Sequence, residues 1–242
     1  MKDKRLRIFA LSIVLVLPVF FFFLFRPLSK VPRPKSPPHL YPIGVIDTID
    51  REGKHYSDTV YQKIPNYKFQ THNGDSLELD SMRGKIYVAD FFFASCPGIC
   101  PKLSGSMQKV QKDFIKDENF KLVSFSVDPD RDTVAALHAY AEEHDAVPGK
   151  WFFLRGSKQD IFKLAEEGFH ITAKDDDGGG PEAFVHSEKI VLVDGEGVIR
   201  GFYSGVDSIS VKKLEGDIAL LITESSQGFS FKKQKQTTKK LF

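Results

Sequence analysis

Two cysteines are the residues of this chain best suited to chemistry. Cys96 and Cys100 are the only cysteines among 242 residues, and three residues separate them. They stand where the apolar run 85–93 stops and a run with helical spacing begins. Thiolates act as nucleophiles, redox partners and ligands of soft metals. Both thiols at one strand-to-helix turn therefore indicate a joint role in a disulfide, in electron transfer or in metal binding.

The local context of the pair favours reactivity over a structural disulfide. Pro101 suits the first position of a helix, which places Cys100 at the helix N-terminus. There the unpaired amides and the positive end of the dipole favour a thiolate. Cys96, on the preceding loop, can fold back so that the sulfurs converge. A bridge closing so short a loop would constrain little chain entropy in the unfolded state.

A metal site would need further ligands. Two thiolates and an imidazole suit Cu(I), whereas structural zinc normally takes four protein ligands, and there is no second cysteine pair. His186 is the best candidate for a third ligand, because it precedes the strand-like run 190–193 and follows the flexible residues 178–181. The remaining histidines are better explained as solvated: His39, His55, His72, His138, His144 and His170.

Charged residues near the pair allow two interpretations each. Asp128 and Arg131 could shape the rim of the site as groups that hydrogen-bond its ligands. Alternatively, this segment is structural, and Asp130 or Asp132 caps the helix that begins near residue 133. Asp90, inside a buried strand, is either a paired core carboxylate or a group that modulates thiol ionisation.

The elements that must position the cysteines follow from periodicity. Residues 67–79 predict an N-terminal β-hairpin around Asn73-Gly74. Further strands are expected at 85–93, 120–127 and 151–154, helices after Pro101 and at 133–144, 158–167 and 208–223, and a closing hairpin at 186–202. Strands alternating with helices indicate an α/β sandwich with a mostly parallel centre. Ligand sites in such sheets form at the carboxyl ends of strands, where the cysteines fall.

The N-terminal part predicts a single transmembrane helix. Residues 8–25 carry no charge, and at about 1.5 Å per residue they cover roughly 27 Å, close to the thickness of a hydrocarbon core. A cleaved signal peptide is the alternative, but small residues for a cleavage site are missing. Residues 1–7 then form a short cytoplasmic tail.

Composition divides the rest of the chain into three parts. Residues 26–63 begin with six prolines up to residue 42 and are expected to form a semi-rigid linker. Residues 64–225 form the folded domain, and 226–242 a basic flexible tail. The net charge of +2, from 34 basic and 32 acidic residues, gives no reason to expect nucleic acid as a partner.

Four motifs, in order, resemble the Sco/SenC family. The run from Phe92 to Pro101 is similar to that family's Cys-x-x-x-Cys-Pro motif, and residues 126–133 to its Val-Asp-Pro-x-Arg-Asp-Thr segment. Residues 151–156 resemble its tryptophan-containing strand, and residues 185–197 its histidine-bearing hairpin. The resemblance covers about residues 64 to 223, and the anchor and linker match as well.

This resemblance implies a thioredoxin-like fold on the periplasmic side of the inner membrane. It implies copper, as Cu(I) or Cu(II), bound by Cys96, Cys100 and His186, and a Cys96–Cys100 disulfide in the oxidised state. The implied partner is the copper-receiving subunit of cytochrome c oxidase during assembly of its dinuclear centre, besides other copper chaperones or thiol oxidoreductases. One departure is Val185, since the family usually has an acidic residue before the histidine.

Three functions therefore remain open at this point. A metallochaperone would bind copper and release it by ligand exchange, without being an enzyme. A thiol–disulfide oxidoreductase would keep the cysteines of the copper-receiving subunit reduced, with Cys96 and Cys100 as its catalytic pair. A thiol peroxidase would recruit Ser95 and Arg131, but it would leave the second cysteine and His186 unexplained.

Overall fold

The computed structural model describes residues 16–18, 20–21, 35–49, 55–171 and 188–237. The chain divides into two units between residues 35 and 36. In the first unit the described residues 16–18 and 20–21 are helical, and the rest of the predicted anchor lies outside the described residues. Within the described ranges, no helix has the length and apolar character needed to span a bilayer.

The second unit begins earlier than the sequence predicted. Strand β1 (Pro42–Ile49) pairs antiparallel with β2 (His55–Tyr61) inside the segment expected to be linker. Residues 36–41 are also fastened to the domain, where Arg200 donates to Pro37 O at 2.5 Å and Leu40 N to Ile199 O at 2.9 Å. Strands β1 and β2 thus lie within residues 26–63, which the sequence predicted to be linker.

A seven-stranded mixed sheet forms the centre of the second unit. Its strands are β3 (Lys68–Thr71), β4 (Ser76–Glu78), β5 (Ile86–Phe92), β6 (Phe120–Ser126), β7 (Trp151–Arg155), β8 (Lys189–Val193) and β9 (Ile199–Ser204), in the order β4-β3-β7-β6-β5-β8-β9. Within this sheet, the neighbouring pairs β5–β6 and β6–β7 are parallel, and the other neighbouring pairs are antiparallel. The hairpin of β3 and β4 is confirmed, and Gly74 supplies its turn with a φ of 88°, which favours glycine.

Four α-helices lie in the described part of the second unit, besides a 3-10 helix at Leu79–Met82. They are α1 (Cys100–Asp113), α2 (Val134–Glu143), α3 (Lys158–Lys163), which continues into a π-helical turn over Leu164–Gly168, and α4 (Ser208–Thr237). Thr133 and Ser157 cap α2 and α3 by accepting a backbone N–H. The backbone of α4 is helical up to Thr237, within the part that the sequence predicted to be a flexible tail from residue 226. No proline interrupts this stretch.

The order of the parallel strands decides where the cysteine helix lies. Right-handed crossovers from β5 to β6 and from β6 to β7 place α1 and α2 on the same face of the sheet. The two helices touch there, since Ser104 Oγ and Tyr140 OH are 2.8 Å apart. The opposite face is packed with aromatic rings, such as those of Phe125 and Phe169 at 5.7 Å. The N-terminus of α1 therefore stands at the carboxyl end of β5.

Candidate functional site

Cys96 and Cys100 border the carboxyl end of β5, as the sequence predicted. The strand ends at Phe92, a short loop carries Cys96, and Cys100 is the first residue of α1, with Pro101 behind it. The Cys96 N–H donates to Phe93 O at 3.2 Å, which turns the loop back. Both cysteines are buried free thiols, and the Cys100 thiol hydrogen-bonds the Cys96 sulfur. The fold thus brings the two sulfurs together.

The two thiols ionise very differently. Burial raises the pKa of Cys96, but hydrogen bonds from the Cys100 thiol and the backbone N–H groups of residues 98–100 outweigh this effect and lower it. The pKa of Cys100 is raised, chiefly by burial and also by the negative charges of Cys96 and Asp90. The expectation that Cys100 is the favoured thiolate is therefore wrong. The amides at the start of α1 point to the sulfur on the loop, not to the one within the helix.

Asp90 belongs to the surroundings of Cys100. Its side chain is fully buried on β5, where Oδ1 accepts a hydrogen bond from Ser124 Oγ at 2.5 Å, and Ser124 Oγ accepts one from Trp151 Nε1 at 2.9 Å. Burial raises the pKa of Asp90 to about 7. Asp90 lies two residues before Phe92, whose ring is 5.0 Å from Tyr140 on the α1 side of the sheet. Both sequence interpretations of Asp90 thus apply.

Asp132 holds the cysteine loop, a role that the sequence did not reveal. Its carboxylate accepts the Ala94 N–H at 3.1 Å and the Ser126 hydroxyl at 2.6 Å, and its side chain is buried. Thr133, rather than Asp130 or Asp132, caps α2. The contact joins residues 38 positions apart in the chain, so no local pattern indicates it.

Asp128 and Arg131 form an ion pair beside the same loop. The Arg131 guanidinium lies 5.9 Å from the centre of the Phe93 ring, a distance suited to a cation–π contact. The pair therefore touches the loop through Phe93. Because its charge is paired with Asp128, Arg131 is poorly suited to activate a peroxide at Cys96.

His186 falls in residues 172–187, outside the described residues. Among the residues that are described, no group of three histidine, cysteine, aspartate or glutamate side chains is placed to hold a metal ion. Several other histidines are engaged elsewhere: His39 lies 3.5 Å from Asp194, His170 3.1 Å from Gln62, and His72 Nδ1 accepts the Phe153 N–H. A His72 ring that accepts at Nδ1 carries its proton on Nε2 when neutral, so it is a poor metal ligand.

Comparisons with known proteins agree with this architecture. The SCO1 protein homolog of Bacillus subtilis is 29% identical over 169 residues, which cover 69% of this chain and 86% of that protein. The structure of BsSco, a member of the Sco family of cytochrome c oxidase assembly proteins with an identified disulfide switch, matches with a TM-score of 0.58. It is 28% identical, over 66% of this chain and 94% of BsSco.

A more distant structure shares the fold alone. Arabidopsis thaliana ScoI, solved with copper bound, matches with a TM-score of 0.52 at 23% identity, over 67% of this chain and 99% of ScoI. These likenesses confirm the mixed α/β fold of Sco proteins. The family model described as SCO1/SenC matches residues 57–222, which include both cysteines and the whole seven-stranded sheet, and this chain therefore belongs to the SCO1/SenC family.

Proposed function

We propose that this protein binds one copper ion through Cys96, Cys100 and His186 and delivers it to the copper-receiving subunit of cytochrome c oxidase. The observation that carries the proposal is the pair of free thiols held side by side at the sheet edge. Two adjacent thiolates in a buried setting repel each other, and a bound cation offsets that repulsion. Thiolate ligands favour soft metal ions such as Cu(I).

The position of Glu188, directly before β8, supports His186 as the third ligand. Glu188 O accepts the Gly205 N–H at 2.7 Å, and Gly205 O accepts the Ser106 hydroxyl of α1 at 2.6 Å. Glu188 therefore lies near the first turns of the cysteine helix. Two residues of chain span at most about 7 Å, which keeps His186 within reach of the same sheet edge.

Family membership supports copper and the oxidase as partners. BsSco belongs to a group of cytochrome c oxidase assembly proteins, and Arabidopsis ScoI binds copper on the same fold. This chain offers two cysteine sulfurs as metal ligands and has no second cysteine pair. That set is too small for a structural zinc site but suits copper, which accepts low coordination numbers.

Copper titration of the reduced full chain tests the proposal. We expect about one equivalent of Cu(I) per chain, bound through deprotonated thiols. His186→Ala should weaken binding and leave the circular dichroism spectrum unchanged, whereas the control His138→Ala on α2 should bind like the parent. If His186→Ala held copper as tightly as the parent, His186 would not be a ligand.

A thiol–disulfide oxidoreductase is the second candidate, and the unequal thiols favour it. Cys96 has a lowered pKa and Cys100 a raised one, as expected for an attacking thiolate beside a resolving thiol. Limited alkylation with iodoacetamide at pH 7 should label Cys96 first, as read by peptide mass spectrometry. Disulfide exchange that persists in His186→Ala would favour this activity, and exchange lost in that variant would count against it.

We also propose that residues 8–25 anchor the protein in the inner membrane, with the copper domain outside the cytoplasm. The support is the uncharged run in the sequence and the orientation implied by the family resemblance. The protein should stay with membranes during alkaline carbonate extraction. Protease added to spheroplasts should cleave the domain, and protection from that protease would reverse the proposed orientation.

A further inference from the structure

The cysteine pair is almost closed to solvent, with Cys96 7% and Cys100 4% exposed. If copper is exchanged there, as proposed above, a ligand atom of the receiving protein must come within about 2–2.3 Å of the ion. The receiving protein must therefore contact the residues that border the pair. The character of that border indicates what kind of surface can dock.

A groove lies beside α1, the helix that begins at Cys100. Its walls are the α1 residues Lys102, Gly105, Ser106 and Lys109 and the loop residues Gly205 and Val206 that follow β9, and it encloses about 300 Å³. We call it the Lys102 groove. It begins two residues after Cys100.

The strand register places this groove at the cysteine edge of the sheet. β8 is antiparallel to β5, and β9 is antiparallel to β8, so the end of β9 and the end of β5 lie at the same edge. Gly205 packs directly against α1, because a Cβ atom there would meet Leu103 Cδ1 at 2.1 Å. The groove therefore lies at the same end of the sheet as the cysteine pair.

Two exposed apolar side chains stand beside the groove. Val206 is 39% exposed, and Ile209, in the first turn of α4, is 78% exposed. Single exposed apolar residues are common on protein surfaces. Two of them within four positions, next to a site that must be covered during metal exchange, form the apolar part of a contact surface.

Lys102 is the cation at the groove that lacks an ion pair among the described residues. Lys109 pairs with Glu215 at 2.7 Å, and the Asp207 carboxylate accepts the N–H groups of Ile209 and Ser210 at the start of α4. In the part of the chain that the structure describes, Lys102 has no acidic partner. A bound surface would desolvate this ammonium group, which favours a partner that brings a carboxylate.

The opposite border of the pair is less suited to docking. There Asp128 and Arg131 already neutralise each other, and Arg131 covers the Phe93 ring. No exposed large apolar residue is found between residues 127 and 133.

From these observations we infer that the Lys102 groove, with Val206 and Ile209, is the docking surface for the metal-receiving protein, which presents an acidic and apolar surface there. The inference rests on the proposed function for the identity of the partner. It adds the side of the cysteine pair from which that partner approaches.

The test measures association of the full chain with the soluble domain of the copper-receiving subunit, by isothermal titration calorimetry. Lys102→Glu and Ile209→Asp should each weaken binding about tenfold or more, as expected for residues central to an interface. The controls are Lys112→Glu and Ile115→Asp, at the far end of α1, which should bind like the parent. Higher salt should weaken parent binding and shrink the effect of Lys102→Glu.

Copper loading of each variant is measured separately and should equal that of the parent. If the metal-free reduced protein associates with the acceptor and the groove variants weaken this association, the docking surface is supported. If the parent also binds no copper, only the proposed function is contradicted. Equal binding by groove and control variants, or no association by the parent in either metal state, would overturn the docking surface.

Two other occupants are distinguished in the same series. Dimerisation of the parent that Ile209→Asp abolishes, seen by sedimentation in detergent, would assign the groove to a second copy of the chain. The domain could instead bind phosphatidylglycerol vesicles. If Lys102→Glu abolished that binding without an effect on association with the acceptor, the groove would be assigned to lipid. Either result would contradict the inference.

Discussion

Asp90 and Ser124 face each other across the two central strands, with Ser124 Oγ donating to Asp90 Oδ1 at 2.5 Å. The other carboxylate oxygen of Asp90 has no hydrogen-bond partner among the described residues. A buried carboxylate with a hydrogen bond to only one of its oxygens is poorly stabilised in its charged form. Burial therefore raises the pKa of Asp90 to about 7. It also lies close enough to Cys100 to raise the pKa of that thiol.

Replacement of Asp90 by asparagine should make Cys100 more acidic. The substitution removes a negative charge that opposes the thiolate. In a Cys96→Ser background, where Cys100 is the only thiol, iodoacetamide should react about twofold or more faster above pH 7. Asp217→Asn, which removes a carboxylate bonded to Tyr203 instead, is the control. A pH profile of alkylation that is identical in both variants would show that Asp90 does not act on Cys100.

The same substitution should change how stability depends on pH. The folded-state pKa of Asp90 is about 7, against an ordinary value of 3.8. Between about pH 4 and 7 the folded protein therefore holds a proton that the unfolded chain has lost, so stability falls as the pH rises through that range. Asp90→Asn should remove up to about 4 kcal/mol of this fall.

Urea unfolding at pH 4.5 and pH 7.5 measures this effect. Burial also raises the pKa of Asp132, which adds a fall of the same sign. Burial lowers the pKa of His72, His144 and His170, which adds a rise. These contributions are common to parent and variant, so the difference between the two proteins reports Asp90. An unfolding free energy that changes equally with pH in parent and variant would contradict the assignment.

Loss of the Asp132 carboxylate should loosen the cysteine loop. Asp132→Ala leaves the Ala94 N–H and the Ser126 hydroxyl without their acceptor, which costs about 1–3 kcal/mol for each buried group left unsatisfied. The urea midpoint should fall, and copper affinity should fall with it, because Cys96 lies two residues after Ala94. Asp130→Ala removes an exposed carboxylate two positions earlier and should change neither the urea midpoint nor the copper affinity. Equal effects of the two substitutions would argue against a specific role of Asp132.

Removal of Arg200 should destabilise the domain by releasing residues 36–38. Arg200 is buried, pairs with the buried Asp194 at 3.0 Å and donates to Pro37 O. Arg200→Ala removes the guanidinium from Asp194, which keeps the N–H groups of Glu196 and Val198 and has His39 at 3.5 Å. We therefore expect a cost of about 3 kcal/mol, the lower end for a broken buried pair. Lys109→Ala, which breaks an exposed pair with Glu215, should cost at most about 1 kcal/mol. Unfolding curves of the two variants that coincide would refute this role for Arg200.

The sequence alone determined the central elements and the position of the thiols. Residues 86–92 and 120–126 are short, mostly apolar runs, which predict buried strands. Pro101 marks the start of α1. These are local signals, since each depends on residues adjacent in the chain. The Cys-x-x-x-Cys-Pro motif belongs to the same category, and it indicated the family only in combination with three further motifs in the same order.

The tertiary structure decided what depends on distant residues. The ionisation of Cys96 and Cys100 is set by burial and by the direction of the α1 amides, neither of which the motif contains. The pairing of Asp132 with Ala94 joins residues 38 positions apart, and that of Arg200 with Pro37 joins residues 163 apart. Spacing along the chain predicts which elements form, because backbone periodicity is local. Which charges are buried, paired or left exposed follows only from how those elements pack.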